Sequence, residues 1–146
     1  MRAPIQILLS ALVVGTVALA GCGSDDTSTV GGQPITNLTF RLDTDGQGGA
    51  DAQEATLQCP GGDSAGCAAL DALPADPTAP TPADTACTQV YGGPATLTVN
   101  GTLRGEDVSA SFDRTDGCQI KRFDQFADVL AALFPDYQAL GAHDVN

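Results

Sequence analysis

Residues 95–112 read ATLTVNGTLRGEDVSASF, and this stretch decides the fold. Ala95, Leu97 and Val99 alternate with Thr96 and Thr98, the period of two that buries one face of a strand and wets the other. Asn100-Gly101 can supply the positive φ angles that a two-residue hairpin turn requires, so the turn is expected there. The chain then returns through GEDVSASFDR, residues 105–114. Here Val108, Ala110 and Phe112 face one way while Ser109, Ser111 and Asp113 face the other.

Working outward, ITNLTFRLD (35–43) alternates as well, with Leu38, Phe40 and Leu42 on one face and Thr39 and Arg41 on the other. It is expected to be a half-buried strand, and a second strand ends at Cys59. Asn37-Leu38-Thr39 and Asn100-Gly101-Thr102 match a glycosylation acceptor pattern, but strand and turn account for both. In SAGCAALDAL, residues 64–73, Cys67, Leu70 and Leu73 recur three apart, which predicts a short helix started by Asp63 or Ser64 and stopped by Pro74. The four prolines of PADPTAPTPADTA (74–86) and its lack of large apolar side chains predict an extended, solvated connection. QIKRFDQFADVLAALF (119–134) repeats Phe123, Phe126, Leu130 and Leu133 at helical spacing up to Pro135, which predicts one core-facing helix. The organisation is α+β: a single antiparallel sheet of four to five strands with two helices packed on it.

The first residues have a different character. Arg2, an apolar run from Ile5 to Ala20 and then Leu19-Ala20-Gly21-Cys22 form an export signal, too short for a stable span and lacking a basic stop-transfer cluster. Leu19-Ala20-Gly21-Cys22 resembles the lipobox of bacterial lipoproteins. That resemblance implies cleavage after residue 21, a lipid on the Cys22 thiol and anchoring on the extracytoplasmic face of the cell membrane. Residues 22–34, polar and Gly-rich, are expected to be a flexible tether. The domain is expected over 35–135, with a loose tail at 136–146.

Setting Cys22 aside leaves Cys59, Cys67, Cys87 and Cys118 of the 5 cysteines. In an exported chain an even set means two disulfides, and spacing alone permits three connectivities. No Cys-x-x-Cys pair suggests zinc, and no cofactor is called for. Arg41, Arg104, Arg114, Lys121 and Arg122 stand against 18 acidic residues, a balance that repels nucleic acid and anionic membrane surfaces. The single histidine, His143, sits in the expected tail and no thiol is left free, so an enzyme is not expected. DTDGQGGADAQE (43–54) places Asp43, Asp45, Gln47, Asp51 and Glu54 at positions 1, 3, 5, 9 and 12 of a calcium-loop spacing, with Gly48 at 6. Its flanks are strands and position 8 is Ala50, so a solvated hairpin loop is expected instead.

Taken together, TLQCPGG (56–62), CAALDAL (67–73), CTQVYGGP (87–94), LTVNGTLRGEDVSASF (97–112) and GCQI (117–120) resemble the subtilisin-inhibitor family of actinobacteria. The resemblance implies pairing of Cys59 with Cys67 and of Cys87 with Cys118. It also implies a protease-binding loop after Cys87 and a serine protease of subtilisin type as partner. The reactive bond would be Gln89–Val90, with Cys87 at P3, Thr88 at P2, Gln89 at P1, Val90 at P1′ and Tyr91 at P2′. Gly92 and Gly93 complete the contact loop, where the family usually has one residue between Tyr and Pro; the extra glycine is expected to soften it. The alternative role is a non-inhibitory surface lipoprotein, binding or structural, that keeps the same scaffold.

Overall fold

The computed structural model describes residues 29–30 and 33–137. The export segment, Cys22 and His143 lie outside the described residues. Two short strands, β1 (Thr29–Val30) and β2 (Gln33–Pro34), pair with each other. The main body follows in the order β3 (Thr36–Asp43), β4 (Gln53–Cys59), α1 (Ser64–Asp71), β5 (Thr96–Leu103), β6 (Glu106–Phe112), α2 (Gly117–Asp124) and α3 (Ala127–Leu133). Strands β4, β3, β5 and β6 lie side by side in that order, antiparallel throughout, in one open sheet. Among the described residues no helix is long and apolar enough to cross a membrane.

The register explains the core. Leu38 stands opposite Leu57 and Gly101, Phe40 opposite Ala55 and Val99, and Leu97 opposite Leu42 and Phe112, so one face collects the apolar side chains. The helices cover that face. Phe126 packs against Phe40 and Phe112 with ring centroids 6.3 and 4.9 Å apart, joining sheet to helices. The other face carries Asn37, Thr39, Thr56, Asn100 and Ser109, and the Ser109 hydroxyl donates to Asn100 Oδ1 at 2.8 Å.

The hairpin turn lies four residues later than expected. Leu103 pairs with Glu106, and Arg104 and Gly105 between them have φ of 53° and 89°, both positive as a tight hairpin demands. Gly101 is inside β5 instead. A Cβ there would sit 2.2 Å from the Asn37 carbonyl oxygen, so the glycine serves a close strand approach rather than a turn. Arg104 is held in its uncommon conformation by long-range contacts. Its N–H donates to Thr36 Oγ1 at 2.9 Å, and its guanidinium donates to the carbonyls of Leu70, Pro74 and Ala75.

The helices also differ from expectation. Asp63 caps α1 by accepting from the Gly66 N–H at 2.6 Å, as its position suggests. The last helical stretch, however, is broken at Gln125–Phe126, giving three helices rather than two. The break turns α3 onto α1 while Phe126 stays in the core. Phe134, at 4% exposure, is buried where Leu133 is only partly so. The proline-rich segment is pinned rather than free: Arg122 donates to the carbonyls of Thr78 and Ala79, Gln125 to that of Pro77, and Pro77 is buried.

Candidate functional site

Site geometry begins at the end of β6. Asp113 accepts from the Thr115 N–H and hydroxyl, which turns the chain, and Asp116 then caps α2 by accepting from Cys118 and Gln119 N–H. This presents Gly117 and Cys118 to the loop that precedes β5. Cys118 is bonded to Cys87, with their Cα atoms 5.4 Å apart; Cys59 is bonded to Cys67, at 5.8 Å. Of the three connectivities open to the sequence, this is the one that the family resemblance implies.

The loop from Cys87 to Pro94 has no regular secondary structure and is fastened on both flanks. On the first flank the disulfide is joined by a bond from the Gly117 N–H to the Thr88 carbonyl, 2.9 Å. On the second, the Gly92 N–H donates to the Arg114 carbonyl at 2.8 Å, and Arg114 Nε donates back to the Gly92 carbonyl at 2.8 Å. Arg114 is 5% exposed, stacks on Phe123 with its guanidinium carbon 5.3 Å from the ring centroid, and pairs with Asp124 on α2. Between the two fastenings Gln89, Val90 and Tyr91 all face solvent. Val90 and Tyr91, 57% and 64% exposed, are the exposed large hydrophobic residues among those described.

The Gly92-Gly93 pair does not act as slack. Gly92 has both its backbone polar groups bonded to Arg114, and a Cβ there would lie 2.8 Å from Ile120 Cγ1 and Cδ1. Gly93 adopts φ 108°, which suits glycine. The expected softening is thus met by a tight fit at one glycine and a required conformation at the other. The exposed residues are legible in the sequence, whereas the part that Arg114, Gly117 and Asp124 play in holding them is not. Arg114 had one available signal, as a basic residue two positions past Phe112, the last inward-facing position of an alternating strand.

Two places could be considered for a metal. The sulfurs of Cys87 and Cys118 and a carboxylate oxygen of Asp116 lie within 4.8 Å of one another, but both sulfurs are in the disulfide and offer no thiolate. In the 43–54 loop, Asp43 turns its carboxylate to its own backbone, accepting from the N–H groups of Asp45, Gly46 and Gly48. Glu54 lies on β4 opposite Arg41, in a strand pair rather than a chelating loop. Burial works against the charge on Asp43, but the amides of Gly48, Gly46 and Asp45 and contact with the Asp45 side chain together hold its carboxyl below the usual range. This loop also touches the site: a Cβ on Gly46 would lie 2.4 Å from the Pro94 carbonyl oxygen.

A groove of about 430 Å³ runs beside the disulfide, lined by the proline-rich segment and by Cys118, Lys121, Arg122 and Gln125. The Arg122 guanidinium is engaged there, bonded to Gln119 and backbone carbonyls and stacked on Phe112 at 4.8 Å. The strongest geometry for contact with another protein is therefore the exposed triplet at 89–91. No protein-family model, no curated protein and no solved structure is significantly similar to this chain.

Proposed function

We propose that this chain is an exported lipoprotein, anchored through Cys22, whose domain inhibits serine proteases of subtilisin type by presenting Gln89–Val90 as a substrate-like bond. The observation that carries this reading is the double fastening. Thr88 and Gly92, on either side of three exposed residues, are both bonded to the short segment 114–118.

A protease reads an extended segment through main-chain bonds and side-chain pockets. A segment already ordered binds with little further entropy cost. In the same frame, Gln89 enters the primary pocket, while Val90 and Tyr91 supply apolar contact on the leaving side. The disulfide, which spans 31 residues, contributes about 3–4 kcal/mol to the fold on the chain-entropy model. The two halves of a cut loop then remain part of one scaffold, which favours resealing over release.

The test is an inhibition titration of subtilisin by the full chain with both disulfides formed, with mass spectrometry of the mixture over time. Tight inhibition with slow cleavage at Gln89–Val90 is expected. Rapid cleavage, or no interaction, would assign the loop to a non-inhibitory binding or structural lipoprotein.

A further inference from the structure

We infer that Arg114 is the positioning residue that retains the leaving half of the cut loop, so that it sets how the acyl intermediate partitions between resealing and hydrolysis. This rests on the reading of Gln89–Val90 as the reactive bond. The two flanks are fastened unequally. The half ending in Gln89 stays tied to α2 by the covalent Cys87–Cys118 bridge, whereas the half beginning with Val90 has a hydrogen-bonded clamp at Gly92.

The chemistry makes that second clamp decisive. Attack by the protease serine on the Gln89 carbonyl carbon breaks the bond to Val90 nitrogen, which leaves as an amine after taking a proton from the protease's general acid. Resealing is the reverse: the amine attacks the acyl carbon, returns its proton and expels the serine oxygen. Hydrolysis instead uses water, giving a Gln89 carboxylate and a free Val90 amine. The outcome depends on how long the amine stays near the acyl carbon.

With Gly92 held, only Val90 and Tyr91 lie between the amine and its anchor. Without that clamp the free segment extends through Gly92, Gly93 and Pro94 to the start of β5 at Thr96. Effective concentration falls roughly as the three-halves power of tether length, so this lengthening alone costs about fourfold. Loss of the charge-assisted hydrogen bond to the Gly92 carbonyl leaves only the backbone bond from the Gly92 N–H to the Arg114 carbonyl, so the clamp opens about tenfold more often and the longer tether is sampled. Phe123 and Asp124 hold the guanidinium in place from α2, so its reach to Gly92 is set by the fold rather than by a mobile surface side chain.

The experiment compares the full chain with Arg114→Met, which keeps an unbranched stem and removes the donors, and with Val129→Ala, which thins the core on α3 away from the loop. Each is incubated with subtilisin, following the inhibition constant, the rate of cleavage at Gln89–Val90 and the share of separately prepared cut chain that is resealed. For Arg114→Met, cleavage should rise and resealing fall by up to about fourfold, with a smaller change in initial binding. Val129→Ala should lower the melting temperature and leave the partition unchanged.

Should Arg114→Met fail to fold, Asp124→Asn, at a side chain that is 47% exposed, removes only the ion pair and should shift the partition the same way by about threefold. An Arg114→Met or Asp124→Asn partition equal to that of the parent overturns the assignment, as does an equal shift in Val129→Ala. A parent chain that is neither an inhibitor nor cut at Gln89–Val90 shows a different failure, that of the reactive-bond reading itself.

Discussion

The connections at 44–52 and 87–94 are both glycine-containing and irregular, yet they are built by opposite means. The first is organised from within: Asp43 accepts three of the loop's own N–H groups, and its neighbours Asp45 and Gln47 bond to each other. The second is organised from outside, by a disulfide and by hydrogen bonds to residues more than twenty positions away. Self-capping spends the loop's polar groups on itself and leaves polar side chains outward. External fastening leaves the middle of the loop to show Gln89, Val90 and Tyr91 to solvent, which is what the proposed contact requires.

The largest effect should come from cutting the external fastening. Replacing Cys87 and Cys118 together with Ser should cost about 3–4 kcal/mol, measured by urea unfolding, and should turn slow cleavage at Gln89–Val90 into rapid cleavage. An equally slow cut in the double variant would mean that the hydrogen bonds alone order the loop. Gly46→Ala tests whether the two loops are separate at all. Its φ is 71° and the added Cβ would meet backbone at Pro94, so about 1–3 kcal/mol of destabilisation is expected, together with faster cleavage of a bond in the other loop. Destabilisation without a change in cleavage would show that the Asp43 loop supports the fold only. Third in size is the contact itself. Gln89→Leu or Gln89→Met should tighten binding to subtilisin about tenfold, because an amide buried without partners costs about 1–3 kcal/mol. Unchanged affinity would argue that Gln89 does not occupy the primary pocket.

The contrast also explains which parts of the molecule could be read from the sequence. Strand β3 and the inner row Leu97 and Val99 were legible because burial on one sheet face writes a period of two into the chain. The hairpin turn was misplaced because Asn100-Gly101 is a strong local signature, while the need for glycine at 101 comes from the Asn37 carbonyl on a neighbouring strand. Alternation continuing to Leu103 was the better guide, since register overrides turn propensity when one face is buried. The helix break at Gln125–Phe126 left no trace in the spacing of Phe123, Phe126 and Leu130. It arises from tertiary demands, with Phe126 drawn to Phe40 and Phe112 and the Gln125 amide to the Pro77 carbonyl. In the site, the exposed residues were visible and their holders were not. A buried arginine bonded to a glycine twenty-two positions away has no local pattern.

The smallest expected effect sharpens the comparison from the side of the self-capped loop. Because the Asp43 carboxyl is held below its usual range when folded, its contribution is fully present at neutral pH and is lost as pH falls through that depressed value. Asp43→Asn should therefore lower the melting temperature at pH 7, with the difference from the parent shrinking below about pH 4, where the unfolded chain's carboxyl begins to take up its proton, and gone once the folded carboxylate is protonated too. Calcium, added to the parent at neutral pH, should leave the thermal midpoint where it was, since the loop's N–H groups already occupy the Asp43 oxygens that would have to turn toward an ion. A midpoint that climbs with calcium in the parent but not in Asp43→Asn would break the contrast. The internal bonds would then be a resting arrangement that a cation replaces, and this loop, too, would be organised by something outside itself.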